Sequence, residues 1–309
     1  LKPDFGIGIL DSGRVLNTSI PRSRYQNVSW AYNNVIQAST SVSLNHAFNE
    51  RFSLNTSASI QKSDVDSYGT GNLNTANKLG TVARTLSKAH SVEFTKAVQL
   101  NLEGKFNINT IENHMLMGAD YTNIITNTDA FNILKTNGTL LKTYDTINFL
   151  NPNQYDQNHY IPNSFKTNTT MAPSIRTGVY LQNLMSLNQC FKLFMGLRYS
   201  YQTTLQTSID STATSARPAI NIKGTNPTAE YKVFNPKAGL VYQPNKEASY
   251  YFSYANNFTA NTGTDVFGNA LPASVMDQYE LGAKHYFMNG KLTSDIAIYK
   301  IINSHFAQQ

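Results

Sequence analysis

The sequence predicts an all-β protein: an antiparallel transmembrane β-barrel, of which this chain supplies about ten strands. Three observations predict it. Apolar and polar residues alternate in stretches of about 9–11 residues, the length a tilted strand needs to cross a bilayer. These stretches come in pairs joined by tight turns. Between the pairs lie long polar segments, so short connections gather at one rim and long ones at the other. The composition agrees: only 14% of the 309 residues are charged. No window approaches the ~18 consecutive apolar residues of a spanning helix, so only a period of two can carry a membrane face.

In the first hairpin Ile36, Ala38, Thr40, Val42, Leu44 and Phe48 alternate with Gln37, Ser39, Ser41, Ser43 and Asn45. After the Asn49-Glu50 turn, Phe52, Leu54, Thr56, Ala58 and Ile60 alternate with Arg51, Ser53, Asn55, Ser57, Ser59 and Gln61. A second hairpin pairs Val98, Leu100, Leu102 and Phe106 with Met115, Met117, Ala119 and Tyr121. The third pairs Val179, Leu181 and Met185 with Leu193, Met195, Leu197, Tyr199 and Tyr201, and turns at Leu187 to Cys190. The fourth sets Phe234, Pro236, Ala238, Leu240 and Tyr242 against Tyr250, Phe252 and Tyr254 across a Pro244 to Glu247 turn. Pro236 opens its strand, where a missing N–H is tolerated. The fifth runs through Tyr279, Leu281 and Ala283, turns at Asn289-Gly290, a strong hairpin signal, and returns through Leu292, Ser294, Ile296 and Ile298. Throughout, charges fall on the face opposite the apolar one.

The long polar segments run roughly from Ser63 to His90, Thr122 to Ile175, Gln202 to Tyr231 and Asn257 to Asp277. Long loops at one rim face outward from the cell in outer-membrane barrels. A stretch from Leu1 to Trp30 with Gly6, Gly8, Gly13 and Pro21 reads as a loop, and the last strand lacks an aromatic end. Free strand edges are not tolerated in lipid, so the expectation is an internal part of a larger barrel.

Other chemistries find little support. The net charge of +6 comes from 25 scattered basic residues, without the clusters of a nucleic-acid interface. The single Cys190 has no intramolecular partner, and no export signal is visible, so localisation is argued from the barrel pattern. His46, His90, His114, His159, His285 and His305 show no metal-ligand spacing, and Gly6-Ile7-Gly8 lacks the dinucleotide fingerprint. Ser43 and His46 fall on opposite faces. Neither a protein-bound metal nor an enzyme is expected.

The ordered motifs Thr177-Gly178-Val179-Tyr180-Leu181-Gln182-Asn183 and Leu193-Phe194-Met195-Gly196-Leu197-Arg198-Tyr199 resemble paired strands of TonB-dependent siderophore receptors. Phe234 to Pro244, Tyr250 to Phe258 and Gln278 to Lys284 are similar to that family's following strands in the same order. Ile20-Pro21-Arg22-Ser23-Arg24-Tyr25 and Asn151-Pro152 with Tyr155 look like its loop motifs. The resemblance implies a barrel of about 22 strands in the Gram-negative outer membrane, closed by a plug domain that this stretch lacks, as it lacks the C-terminal strands.

The nearest look is the ferrichrome-like hydroxamate branch. The resemblance implies a ferric siderophore as ligand, TonB as partner through the plug or N-terminal segment, lipid around the barrel, and no cofactor beyond the chelated iron. It implies ligand contacts at Tyr68, atop the second strand, at Phe131 beyond the fourth, and at Tyr155 and Tyr160 in the longest loop. Arg84, Lys135, Lys142 and Lys166 would draw in anionic complexes. The alternatives are a passive porin or oligosaccharide channel, and a soluble or surface adhesive β-sandwich.

Overall fold

The computed structural model describes residues 9–10, 15–16, 27–71, 76–151, 160–213, 218–224, 228–261 and 263–307. The Ile20 to Tyr25 motif and Tyr155 lie outside the described residues. Ten long strands follow one another in antiparallel order: β1 (Tyr32–Ala47), β2 (Phe52–Thr70), β3 (Leu86–Ile108), β4 (Ile111–Ile133), β5 (Ser164–Ser186), β6 (Phe191–Thr204), β7 (Ala229–Tyr242), β8 (Ala248–Thr259), β9 (Ser274–Phe287) and β10 (Leu292–Ser304). Each pairs with its predecessor, so one sheet is wound by hairpins alone. Among the described residues β1 and β10 are its two edges, and they do not pair with each other.

The alternation read from the sequence sets the registers. Thr40 faces Ile60, Val42 faces Ala58, Val98 faces Tyr121, and Leu281 faces Ile298, so apolar residues meet across every ladder. These side chains stand out from the wall: Ile36 is 72% exposed and Ile298 74% exposed. Such a belt has no place in water and demands hydrocarbon around it. A concavity of about 1080 Å³ lies against this belt, among Leu100, Met117, Leu181, Met195, Leu197 and Phe234. Acyl chains, rather than a soluble ligand, fit so apolar a lining.

Five short connections share one rim, and an asparagine shapes each. Asn49 accepts from the amides of Arg51 and Phe52 at 2.8 and 3.0 Å, Asn188 from Cys190 and Phe191, and Asn245 from Glu247 and Ala248, all four at 2.9 Å. The other two turns place Asn109 (φ 54°) and Asn289 (φ 55°) in the left-handed region, which asparagine tolerates.

At the opposite rim the strands run further than the hydrophobic pattern suggests. Strand β2 continues past Ser63 to Thr70, while β4 runs to Ile133 and β5 begins at Ser164. Above the belt both faces turn polar, which erases the period-two signal although the ladder continues. The loops between Ser63 and His90, and between Thr122 and Ile175, are correspondingly shorter than expected. Short strands Thr81–Arg84 and Asp145–Asn148 pair within them, and Ser208–Ser211 attaches to the upper part of β5.

The two faces predict different responses to one charge. Leu181→Arg, in the belt, should destabilise the assembled full-length protein by about 2–4 kcal/mol. Ser57→Arg, on the polar face, should cost far less. Denaturant titration in phospholipid vesicles measures both, and equal costs would refute the assignment of faces.

Candidate functional site

The polar face of β3 to β7 carries a fastened wall. Arg198 Nη1 and Nη2 donate to the two carboxylate oxygens of Asp120 at 2.6 and 2.9 Å, a bidentate geometry joining β6 to β4 across β5. The crossing works because Gly178 lies beneath the guanidinium, where any Cβ would overlap it. The Tyr180 ring lies flat over Gly118 for the same reason. Its hydroxyl receives a bond from Gln99 Nε2 at 3.1 Å and donates to Asn101. Arg198 Cζ sits 5.4 Å from the centre of that ring. Long side chains here run along the wall instead of projecting from it. A hollow of about 260 Å³ remains between Gln99, Asp120, Tyr180, Gln182, Asn235 and Lys237.

Above the belt, a second assembly joins the two long loops. Arg84 is completely buried, and its Nε and Nη2 donate to Asp145 at 2.7 and 2.5 Å. The short strands carrying them pair from Thr81 opposite Asn148 to Arg84 opposite Asp145. Val82, Ile147 and Phe149 form the small core around them. Trp30 packs edge-on against Tyr68 (4.9 Å) and Tyr144 (6.0 Å). The Tyr144 hydroxyl donates to the Tyr160 carbonyl at 2.6 Å, and the Tyr68 hydroxyl to the Pro162 carbonyl at 2.9 Å.

The expected ligand aromatics fall in different places. Tyr68 is only 3% exposed, and burial first, then neighbouring tyrosines, push its hydroxyl up to about 12, so it stays a donor. Strand β2 keeps unbroken register from Ile60 to Tyr68, which puts Tyr68 on the side of the apolar belt and away from the polar wall. Phe131 is half-buried on that same side, opposite Lys166 and next to a β-bulge. Lys88 Nζ sits 4.9 Å from its ring centre and 5.5 Å from that of Tyr68. Tyr160, at 45% exposure, is the outward-standing one of the three described. Lys135 tops the neighbouring hairpin, where its amide bonds the Thr139 carbonyl at 2.8 Å.

Sequence reasoning missed Trp30, Tyr144 and Asp145 in the loop assembly and the Asp120–Arg198 pair in the wall. It also missed a cluster above the belt: His90 Nδ1 lies 2.7 Å from Asp129 and Nε2 3.1 Å from Asp64, while Asp129 also accepts from Thr169 at 2.5 Å. The hydrogen bond to Asp129 pushes His90 up, against the opposing effect of burial. Among the described residues no group of three His, Cys, Asp or Glu side chains is set to hold a metal ion.

The model of a family described as TonB dependent receptor-like, beta-barrel, matches residues 2–308. The ferric-pyoverdine 358 receptor of Pseudomonas putida is 36% identical over 88 residues, which is 27% of this chain and 11% of that protein. The ferrichrome outer membrane transporter/phage receptor of Escherichia coli is 23% identical over 209 residues, 68% of this chain and 26% of that one. The crystal structure of the siderophore receptor PiuA from Acinetobacter baumannii superposes with a TM-score of 0.76 at 21% identity, covering 96% of this chain and 45% of its own. The chain thus spans less than half the length of each.

The His90 cluster has a signed pH dependence. A raised imidazole pKa stabilises fully below the ordinary value of about 6.5, and that contribution fades as pH rises through the folded value. An NMR titration of full-length protein should give His90 a midpoint above ~6.5 that falls back in Asp129→Asn. An unchanged midpoint would discard the contact.

Proposed function

The chain belongs to the TonB-dependent receptor-like β-barrel family, an outer-membrane family of transport receptors, and from that premise we propose that it is the barrel part of a protein that binds and imports ferric siderophores. Within that reading the ligand is a hydroxamate chelate of the ferrichrome class. Iron is cargo, arriving in its chelator, and the protein needs no resident cofactor. The single observation behind the reading is the family match over residues 2–308; likeness to the ferrichrome transporter supports the choice of class.

Within this proposal the candidate residues divide the labour. Tyr160 and Lys135, with Lys142, meet the chelate at the outer rim, Tyr68 and Phe131 pack beneath them, and Tyr155 is a further candidate contact. The polar wall encloses a space for a plug domain, through which TonB delivers energy. The open edges of β1 and β10 continue into further strands of a barrel of about 22, because unpaired backbone groups in hydrocarbon cost several kcal/mol each. The runner-up is a passive porin or oligosaccharide channel, with the same wall around an open pore.

Uptake of radiolabelled iron by cells bearing the full-length protein separates these readings. Ferrichrome-class iron should accumulate only when TonB is present. Uptake of ferric catecholates alone would overturn the ligand class, and TonB-independent passage of neutral sugars would establish a channel. For an anionic chelate, Lys135→Glu with Lys142→Glu should slow association, with the loss shrinking as salt rises. A salt-independent loss in stopped-flow binding would contradict electrostatic capture.

A further inference from the structure

We propose that the loop between β2 and β3 and the loop between β4 and β5 move as one body, and that Arg84 is the positioning residue that pins it. What the body positions, the hairpin bearing Lys135 together with Tyr160, rests on the ligand reading above; that the loops are joined does not.

The joint is built in three layers. Four residue pairs form the ladder between Thr81–Arg84 and Asp145–Asn148, and Phe149 N adds a bond to the Gly80 carbonyl at 3.0 Å. The fully buried Arg84 guanidinium then spans the joint to Asp145, which is 15% exposed, and reaches the Asn27 carbonyl at 3.4 Å. Finally the Arg84 carbonyl accepts from Tyr144 N at 2.8 Å, and the Tyr144 ring lies 5.8 Å from the guanidinium. Separating the loops would uncover or orphan a buried charge, which is far costlier than parting a surface pair. Loops closing singly are therefore disfavoured, and joint motion is left as the cheap one.

The joint also extends to the exposed side chains. Tyr144, adjacent to Asp145, holds the Tyr160 carbonyl, and Thr136 in the Lys135 hairpin donates to the Tyr160 hydroxyl at 3.4 Å. Leu134 bridges Leu140 across that hairpin, and Leu141 N bonds the Ile133 carbonyl at 2.8 Å. Charge points the same way. Among the described residues of the two loops the basic side chains are Lys78, Arg84, Lys135 and Lys142, and the acidic one is Asp145, the partner of Arg84. The described part of the body therefore carries a net positive charge.

A reversible cross-link tests this in the full-length protein with Cys190→Ser. Val82 and Ile147 are directly opposed in the ladder, so Val82→Cys with Ile147→Cys should form a disulfide on oxidation. Oxidised and reduced forms should import the chelate equally well; import blocked by oxidation and restored by reduction would overturn the proposal. Arg84→Met should raise the KM of uptake several-fold with little change in maximal rate, and the cross-link should restore it. A raised KM that the cross-link leaves unrestored would show that Arg84 does not act by holding the loops. Should Arg84→Met fail to reach the membrane, the cross-link in the otherwise native chain decides alone. If the native protein imports neither ferric hydroxamates, catecholates nor pyoverdines, the ligand reading fails, and hydrogen exchange decides the joint. Arg84→Met should then speed exchange at 81–84 and 145–148 together, and faster exchange in one strand only would refute a single body.

Discussion

A backbone amide in hydrocarbon has no water to bond, so each must find a partner within the protein. Everything else in this molecule follows from that requirement. It forces the chain into a continuous ladder, and the ladder forces a period of two. Side chains must then divide into a lipid-facing set and an inward set with no third choice. Ten strands joined by hairpins satisfy the requirement between β1 and β10, and the five asparagine-shaped turns return the chain without spending a ladder bond.

The inward set is constrained in its turn. Polar side chains on a wall surrounded by lipid still need partners, and here they find one another laterally. Arg198 reaches Asp120 across an intervening strand, and Tyr251 donates to Glu280 at 2.5 Å over Gly282. Glycine in the path lets a long side chain lie down, which converts a projecting charge into a strap between strands. Above the belt water is available again, and the molecule builds differently: a small apolar core around Val82, Ile147 and Phe149, closed by one buried ion pair.

Local features were legible in the sequence. Each hairpin, the short-turn rim and the polarity of the two faces follow from spacings of two residues, and the registers reproduce them. Features that depend on distant residues were not. Arg84 and Asp145 lie 61 residues apart, and Arg198 and Asp120 lie 78 apart, so no local pattern pairs them. The extended upper strands were hidden because polarity on both faces removes the contrast that marks a strand. Tyr68 was legible in principle: its even spacing from Ile60 puts it on the belt side.

One unbroken period-two wall separates lipid from a polar interior. Its most direct measurement is single-site labelling along β3, from Ala97 to Leu102, in the full-length protein reconstituted in vesicles. Each label is quenched in turn by a lipid-soluble and a water-soluble agent. Strict alternation is expected, with labels at Val98, Leu100 and Leu102 reached from lipid and those at Ala97, Gln99 and Asn101 shielded from it. Equal lipid quenching at neighbouring positions would contradict it.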